Sequence, residues 1–321
     1  MNMAINRILA VRNDRFGEFL LNIPALRALK EKYTSSKLAL VVKPDVEELA
    51  KCIDFVDEVI IWQNKRHTFS EILKFSKELK NKKFDACIIL NPSKEFNIIG
   101  FLARIPIRVG YAHKLAFLLT HKIEDRKYLG KKHEIEYNLE LVGLVGAKTD
   151  NKELSIAIRN DIDTSLPASF DKKNLIAIHP WTSDPIKQWP QQYFRQLAKR
   201  ITLELGMKVV IIGGEDELDR NVEFSTDVHE SLVNMTGKTT LKQLAVLLKK
   251  CRLLVSGDSG PVHLASCVGT PVVAIFRNDI PGKSSKRWGP CSAGSVIIEK
   301  SNLSDIMVDE VFEKVRKVLN K

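Results

Sequence analysis

Residues 253–276, LLVSGDSGPVHLASCVGTPVVAIF, constrain the fold more than any other segment of the chain. A short apolar run ends in Gly257-Asp258-Ser259-Gly260. A helical stretch follows at once, and a second apolar run covers Pro271 to Phe276. The order is strand, tight turn, helix, strand. The turn leaves unpaired backbone N–H groups at a helix N-terminus, where the macrodipole favours an anion. Gly260 has no Cβ to hold a phosphate away, and Pro261 fits the first helical turn, where its missing N–H costs nothing. An ordinary strand–helix turn capped by an Asp or Ser accounts for the same residues equally well.

The rest of the chain repeats this alternation. In the N-terminal half, Ile8–Val11, Leu38–Val42, Val59–Ile61, Ala86–Leu90 and Ile107–Gly110 read as strands. Apolar spacing predicts helices over Gly17–Tyr33, Phe69–Leu79 and Glu134–Leu144, and the pattern weakens between Tyr111 and Lys132. The second half restarts with strands at Leu175–His179, Val209–Ile212 and Leu253–Val255, and with helices at Gln191–Leu205 and Leu241–Lys249. Ile306–Leu319 reads as an amphipathic helix. Alternating strands and helices imply α/β architecture, a mostly parallel sheet with helices on both faces. The polar, turn-rich stretch 159–173 is the best linker. The expected organisation is a Rossmann-like domain over 1–165, a second over 174–303, and a C-terminal helix over 304–321. A chain of 321 residues suits two cores better than one.

No stretch approaches the ~18 uninterrupted apolar residues of a spanning helix. Arg7, Arg12, Asp14 and Arg15 interrupt the only early apolar run, so no secretory pattern is present. The five cysteines are odd in number and lack paired-ligand spacing, which points to a reducing, cytoplasmic setting. The net charge is +11. In the N-terminal half the excess sits in one segment: residues 104–132 hold Arg104, Arg108, Lys114, Lys122, Arg126, Lys127, Lys131 and Lys132 against only Glu124 and Asp125. Such clustering suits an anionic partner: a phosphorylated substrate, an acidic membrane surface or nucleic acid. A solvated lysine-rich surface is the plainer account. No aromatic-interleaved basic motif supports nucleic-acid binding.

Ligands of open α/β sheets bind beyond the carboxyl ends of strands, and four clusters lie there. Arg12-Asn13-Asp14-Arg15-Phe16-Gly17-Glu18 follows the first strand. Glu18 at a helix start gains from the dipole and should stay ionised; it is either a general base at a cleft or a helix cap. His179 to Pro190 follows the first strand of the second half; Thr182, Ser183 and Lys187 there suit phosphate oxygens. Gly213-Gly214-Glu215-Asp216-Glu217 resembles a ribose-hydroxyl site, with solvated helix-start acids as the alternative. The fourth cluster is Asp258, Ser259, Gly260 and His263, in which the histidine could equally be a packed core residue. No Walker loop, complete dinucleotide fingerprint or hydrolase nucleophile elbow is present.

Taken together, Ile8–Lys30, the Lys187-Gln188-Trp189-Pro190 loop, Gly213-Gly214, residues 256–276 and Arg287-Trp288-Gly289-Pro290 resemble, in order, glycosyltransferase family 9, the heptosyltransferases. The resemblance covers nearly the whole chain. It implies a GT-B fold, two Rossmann-like domains facing across a cleft, with acceptor on the first and nucleotide-sugar donor on the second. It implies ADP-heptose as donor, a lipopolysaccharide inner-core glycolipid as acceptor, inverting transfer, and neither cofactor nor metal. By the same resemblance Glu18 stands where the family has its catalytic aspartate, and Lys187 contacts the donor phosphates. Glu217 lies near the ribose and Thr239 lines the adenine pocket. Asp258, Ser259, Gly260 and His263 form the diphosphate-binding turn. Arg12, Arg15, Arg104, Arg108 and Lys114 are the matching candidates for an anionic acceptor at the inner membrane surface. Glu for Asp at position 18 departs from the family and adds a methylene to the base; Asp14 is the fallback. Two other readings use the same fold: a nucleotide-sugar epimerase and a non-catalytic nucleotide-sugar-binding protein.

Overall fold

Each half of the chain builds one six-stranded, wholly parallel sheet. The computed structural model describes residues 5–63, 65–158, 174–221 and 231–320; the expected linker, 159–173, lies outside them. The chain divides into two units, Met1–Glu153 and Leu154–Lys321. The break therefore comes earlier than residue 165, and Leu154 to Ile158 go with the second unit.

In the first unit β1 (Arg7–Val11), β2 (Lys37–Val42), β3 (Glu58–Ile61), β4 (Ala86–Ile89), β5 (Ile107–Tyr111) and β6 (His121–Ile123) lie in the order β3-β2-β1-β4-β5-β6. In the second, β7 (Leu175–His179), β8 (Lys208–Ile211), β9 (Leu232–Asn234), β10 (Leu253–Gly257), β11 (Val272–Arg277) and β12 (Val296–Lys300) lie in the order β12-β11-β10-β7-β8-β9. Counted from the start of each unit, the two orders are the same. Strand order reverses between β1 and β4 in one sheet and between β7 and β10 in the other. The central strands are buried along their length, as expected of a parallel sheet covered on both faces.

The helices of the first unit are α1 (Phe16–Leu20), α2 (Ile23–Lys32), α3 (Glu47–Ala50), α4 (Phe69–Asn81), α5 (Lys94–Leu102) and α6 (Glu134–Gly143). Those of the second are α7 (Gln191–Leu205), α8 (Leu241–Lys250), α9 (Gly260–Cys267), α10 (Ser285–Trp288) and α11 (Val308–Leu319). The single helix expected over Gly17–Tyr33 is two. Pro24, in the first turn of α2, has no N–H to donate to the preceding turn, so the helix restarts there. Asn22 mends the break: its fully buried amide donates to the carbonyls of Glu18 at 2.6 Å and Phe19 at 3.4 Å. Thr68 and Thr240 open α4 and α8 with reciprocal capping boxes to Glu71 and Gln243.

Leu9, Val11, Phe75, Phe96 and Ile99 share one core of the first unit. In the second, Ile176, Ile178, Trp181, Trp189 and Phe194 pack with Val311, Phe312 and Val315 of α11. The C-terminal helix is thus part of that core and no separate element. Trp189 is fully buried, and its indole N–H donates to the Ile306 carbonyl at 2.9 Å. The tryptophan beside Lys187 anchors the loop, which leaves the lysine as the chemically available member of that motif.

Candidate active site

The crevice beyond the carboxyl ends of two strands that flank an order reversal is where such sheets bind ligands. In the second unit those strands are β7 and β10. The loop after β7, residues 180–190, folds down onto the end of β10. A Cβ at Gly257 would come within 3.2 Å of Thr182 Cγ2, so the two elements lie close there. The loop is held internally. Thr182 is buried and its Oγ1 donates to Asp184 O at 2.9 Å, the Asp184 carboxylate accepts from the Ile186 N–H at 3.3 Å, and Lys283 pairs with Asp184 at 2.8 Å.

That loop brings Lys187 Nζ to 2.5 Å from Asp258 Oδ2, with side-chain exposures of only 17% and 9%. Burial pushes the Asp258 carboxyl above its ordinary range, and the Lys187 ammonium and the Arg287 guanidinium pull it back. The next residue, Ser259, occupies the N-cap of α9, yet its hydroxyl bonds to no amide of the helix. It lies 2.8 Å from Ser256 Oγ instead. Ser256 Oγ sits 3.3 Å from His179 Nδ1, and His179 Nε2 sits 3.4 Å from Glu217 Oε2. The Gly214 N–H donates to the same Glu217 oxygen at 2.8 Å. A buried chain of contacts therefore joins the α9 turn to the acid after β8. His263, in the first turns of α9, is buried, with its ring centroid 6.3 Å from that of Trp288. Arg287 lies over the Trp288 ring at 4.4 Å.

The structure thus gathers Thr182, Lys187, Asp258, Ser259, Gly260, Glu217 and His263 around the β7/β10 reversal. Ser183 is exposed on the loop. Thr239 stands immediately before the α8 N-cap, half-buried, and no hydrogen bond or ion pair among the described residues ties it to the others. His179 was absent from the expected set. It looks like the end of an apolar strand, and only its place at the order reversal could have flagged it. Arg287 was seen only as part of a motif.

In the first unit the reversal lies between β1 and β4, and Arg12 to Glu18 follow β1. Arg12 turns inward: it is 3% exposed, donating from Nε to Asp14 Oδ1 at 2.7 Å and from Nη1 to Leu90 O at 3.0 Å. Its Nη1 also lies 3.7 Å from Glu134 Oε1. Glu134, the first residue of α6, pairs with Lys127 at 2.5 Å, and both are buried. Lys127 Nζ also reaches Asn138 Oδ1 at 3.3 Å and lies 4.5 Å from the centre of the Tyr111 ring.

Glu18 stands beside this network, partly exposed, at the third position of the five-residue α1. The expected dipole effect loses. Burial raises the Glu18 pKa, the Asp14 carboxylate adds to the rise, and Arg12, the residue's own backbone bond and Arg15 only partly offset it. A one-turn helix carries little dipole to oppose desolvation.

The acceptor-side arginines divide. Arg15 and Arg104 are exposed, as is Lys114. Arg12 is enclosed by its partners and faces no solvent. Arg108 donates to the backbone carbonyls of Leu118 at 2.7 Å and Ile105 at 2.5 Å. The basic excess of 104–132 is also smaller than counting suggests. Lys127 is buried against Glu134, Arg126 pairs with Glu124 at 2.7 Å, and Lys132 pairs with Glu140.

Comparison with known proteins places this geometry in a family. The family description glycosyltransferase family 9 (heptosyltransferase) matches residues 72–310. The lipopolysaccharide core heptosyltransferase OpsX of Haemophilus influenzae is 24% identical over 282 residues, covering 84% of this chain and 79% of that protein. Lipopolysaccharide heptosyltransferase 2 of Salmonella typhimurium is 23% identical over 295 residues, covering 86% and 84%. Among solved structures, a family 9 glycosyl transferase from Veillonella parvula superposes with TM-score 0.85 at 23% identity, covering 99% of each chain. The Escherichia coli ADP-heptose lipopolysaccharide heptosyltransferase II gives 0.82 at 21%, covering 98% of each. At such identities the structural likeness speaks for the fold, two Rossmann-like sheets of the GT-B class. The family match spans most of the chain, including β4 through the first residues of α11, and the protein is a member of glycosyltransferase family 9, the heptosyltransferases.

Proposed function

We propose that the protein is an inverting, metal-independent glycosyltransferase that moves a sugar, a heptose by family, from an ADP-sugar to a lipopolysaccharide-core glycolipid at the membrane surface. The observation that carries this reading is that each unit carries a site at the order reversal of its own sheet, and that the two sites are chemically opposite. One offers a carboxylate whose proton affinity is raised. The other offers a helix N-terminus whose capping hydroxyl is turned away, next to a lysine.

The roles follow from the charges. Glu18 accepts the proton of an acceptor hydroxyl as that oxygen attacks the anomeric carbon of the donor. A general base gains proton-transfer driving force as its pKa rises toward the operating pH. The C–O bond to the diphosphate breaks, and its electron pair leaves on the phosphate oxygen. Negative charge then grows beside the amides at Ser259-Gly260 and the Lys187 ammonium, which stabilise the transition state. Asp258 holds Lys187 in place, Thr182 fixes the loop through its bond to Asp184 O, Ser183 supplies a hydroxyl to the phosphates, and Glu217 accepts from ribose hydroxyls. His263 shapes the turn from below, and Thr239 lines the base. Arg15, Arg104 and Lys114 meet the anionic groups of the acceptor.

Glu18→Gln removes the proton acceptor and keeps the side-chain shape. Transfer is expected to fall by about 10²- to 10⁴-fold, while ADP affinity, read by calorimetry, stays within a factor of two or so of wild type. Equal loss of both would move Glu18 from chemistry to structure and return the site to a binding role.

A further inference from the structure

Between Glu95 and Glu124 the chain contains no acidic residue. The cations that find carboxylate partners in the basic segment, Arg126, Lys127 and Lys132, all lie beyond that stretch. Arg104, Lys114 and Lys122 lie inside it and are exposed. The same stretch carries large apolar side chains in water: Phe101 is 51% exposed, Leu115 36% and Phe117 75%. Single exposed apolar residues need no explanation. Several, interleaved with cations and with no acid among them, do.

The structure brings these residues onto one region. Arg108 ties the end of α5 to the 3-10 turn Ala116–Leu118, and β6 joins them by pairing with β5, the strand that carries Arg108, whose N–H donates to Thr120 Oγ1 at 2.7 Å. Its guanidinium lies 5.7 Å from the centre of the Phe101 ring, and its Nε donates to Leu118 O at 2.7 Å. Asn97 of α5 donates to Lys114 O at 3.1 Å. Among the described residues, strand β6 ends the sheet with exposed His121 and Lys122, pairing only with β5.

We propose that the surface built by this acid-free stretch is a docking surface for an anionic phospholipid bilayer. Phe101, Leu115 and Phe117 enter the interface, and Lys122 meets lipid phosphates beside Arg104 and Lys114, the cations that the proposed function gives to the acceptor. The charge pattern selects this occupant. A second copy of the same face would set like charges opposite one another along an edge strand, an arrangement that blocks strand pairing. A nucleic acid would satisfy the cations but leave Leu115 and Phe117 in water. A bilayer surface satisfies both sets at once: aromatic rings at headgroup depth and cations at the phosphates. Either signal alone is marginal, and an apolar insertion combined with a basic patch binds stably. The inference rests on the glycolipid reading of the acceptor only for the reason a bilayer should be near.

The test uses the full chain with no donor and no acceptor, so it stands apart from transfer. Sedimentation with phosphatidylglycerol-containing vesicles is compared with pure phosphatidylcholine vesicles. Binding is expected to the anionic vesicles only, weakening as salt rises. Lys122→Glu changes the charge at the surface by two, and each charge is worth about 5-fold, so its partitioning should fall roughly 25-fold. Phe117→Ser should lower it roughly 10-fold. Neither residue belongs to the transfer machinery, so both variants should melt as wild type and keep full turnover on a lipid-free acceptor. Equal binding to both vesicle types would overturn the inference. So would unchanged partitioning in both variants, displacement from vesicles by stoichiometric oligonucleotide, or a concentration-dependent dimer that Phe117→Ser abolishes. Failure of transfer with intact vesicle binding would instead overturn the proposed function.

Discussion

Truncating Lys187 to alanine separates what this lysine does for the fold from what it does for a ligand. Its ammonium lies 2.5 Å from Asp258 Oδ2, in a pair that is 17% and 9% exposed. Removing one member of a buried pair costs about 3–5 kcal/mol, mostly because the other charge is stranded. Arg287 still acts on Asp258, and the carboxyl can take up a proton, so about 3 kcal/mol is the better figure. For a unit of this size each kcal/mol moves Tm by roughly 2–4 °C, which puts the expected fall near 6–12 °C.

The sign of the pH dependence is fixed. Asp258 already binds its proton more tightly folded than unfolded, burial being the main cause, and Lys187→Ala lifts that affinity further. A carboxyl whose folded pKa is raised destabilises as pH climbs from its unfolded value through its folded one. The melting difference between wild type and variant should therefore be small near about pH 4 and largest at neutral pH and above. Lys187→Ala/Asp258→Asn removes the stranded charge and should recover most of the lost stability. It should not recover ADP affinity. A charge-assisted hydrogen bond is worth about 1.5–3 kcal/mol, so the deficit should be roughly 10- to 100-fold. Thermal melts across pH and ADP titrations of the three proteins make the assay. A Lys187→Ala protein melting within ~2 °C of wild type at neutral pH would refute the stranded-charge reasoning. A double variant that binds ADP as wild type would refute the lysine–phosphate contact.

Two further outcomes follow from single contacts. Asp14→Asn removes the like charge that helps raise Glu18, after burial the largest cause; the acidic limb of the kcat/KM profile should move to lower pH, and an unmoved limb would mean that another group titrates in it. Gly213→Ala places a Cβ 2.7 Å from Trp181 Cζ3 and 2.9 Å from Glu217 Oε2. Trp181 is fully buried and has no room to yield, so the expected cost is about 1–3 kcal/mol of stability, with loss of donor affinity as Glu217 is displaced; a variant with wild-type melting and affinity would show that the turn relaxes.

What could be seen in advance depended on burial. Strands β1, β7 and β10 are buried along their length and announce themselves as apolar runs. Strands β6, β9 and β12 are short or partly exposed, and their residues, such as His121-Lys122 and Glu299-Lys300, carry no such signal. The break in the first helix was written in Pro24 and hidden by leucine spacing on either side. Candidate positions could be named because strand ends are legible. Pairings could not. Lys127 counts as a surface cation until the fold sets it against Glu134 under the Tyr111 ring. Lys187 and Asp258 meet because the fold settles one loop on the end of another strand, closely at Gly257. Counting charges along a chain assumes each faces water, and the network around Arg12 breaks that assumption.

The two sheets share one strand order, so topology alone does not say which should hold the anion. The turn chemistry does. After β1 the chain runs into a five-residue helix with no side-chain cap, flanked by Asp14 and Glu18, and its one inward arginine is already engaged by Asp14, Leu90 and Glu134. An added phosphate there would meet two carboxylates and find Arg12 occupied, whereas a neutral hydroxyl would meet a base of raised proton affinity. After β10 the helix runs eight residues from Gly260, and the one hydroxyl able to fill its N-terminus is drawn off toward Ser256. Lys187 and Arg287 more than balance the single buried Asp258. Under the proposed function the leaving diphosphate falls to the second turn and the attacking hydroxyl to the first, because desolvation punishes the opposite assignment at both places.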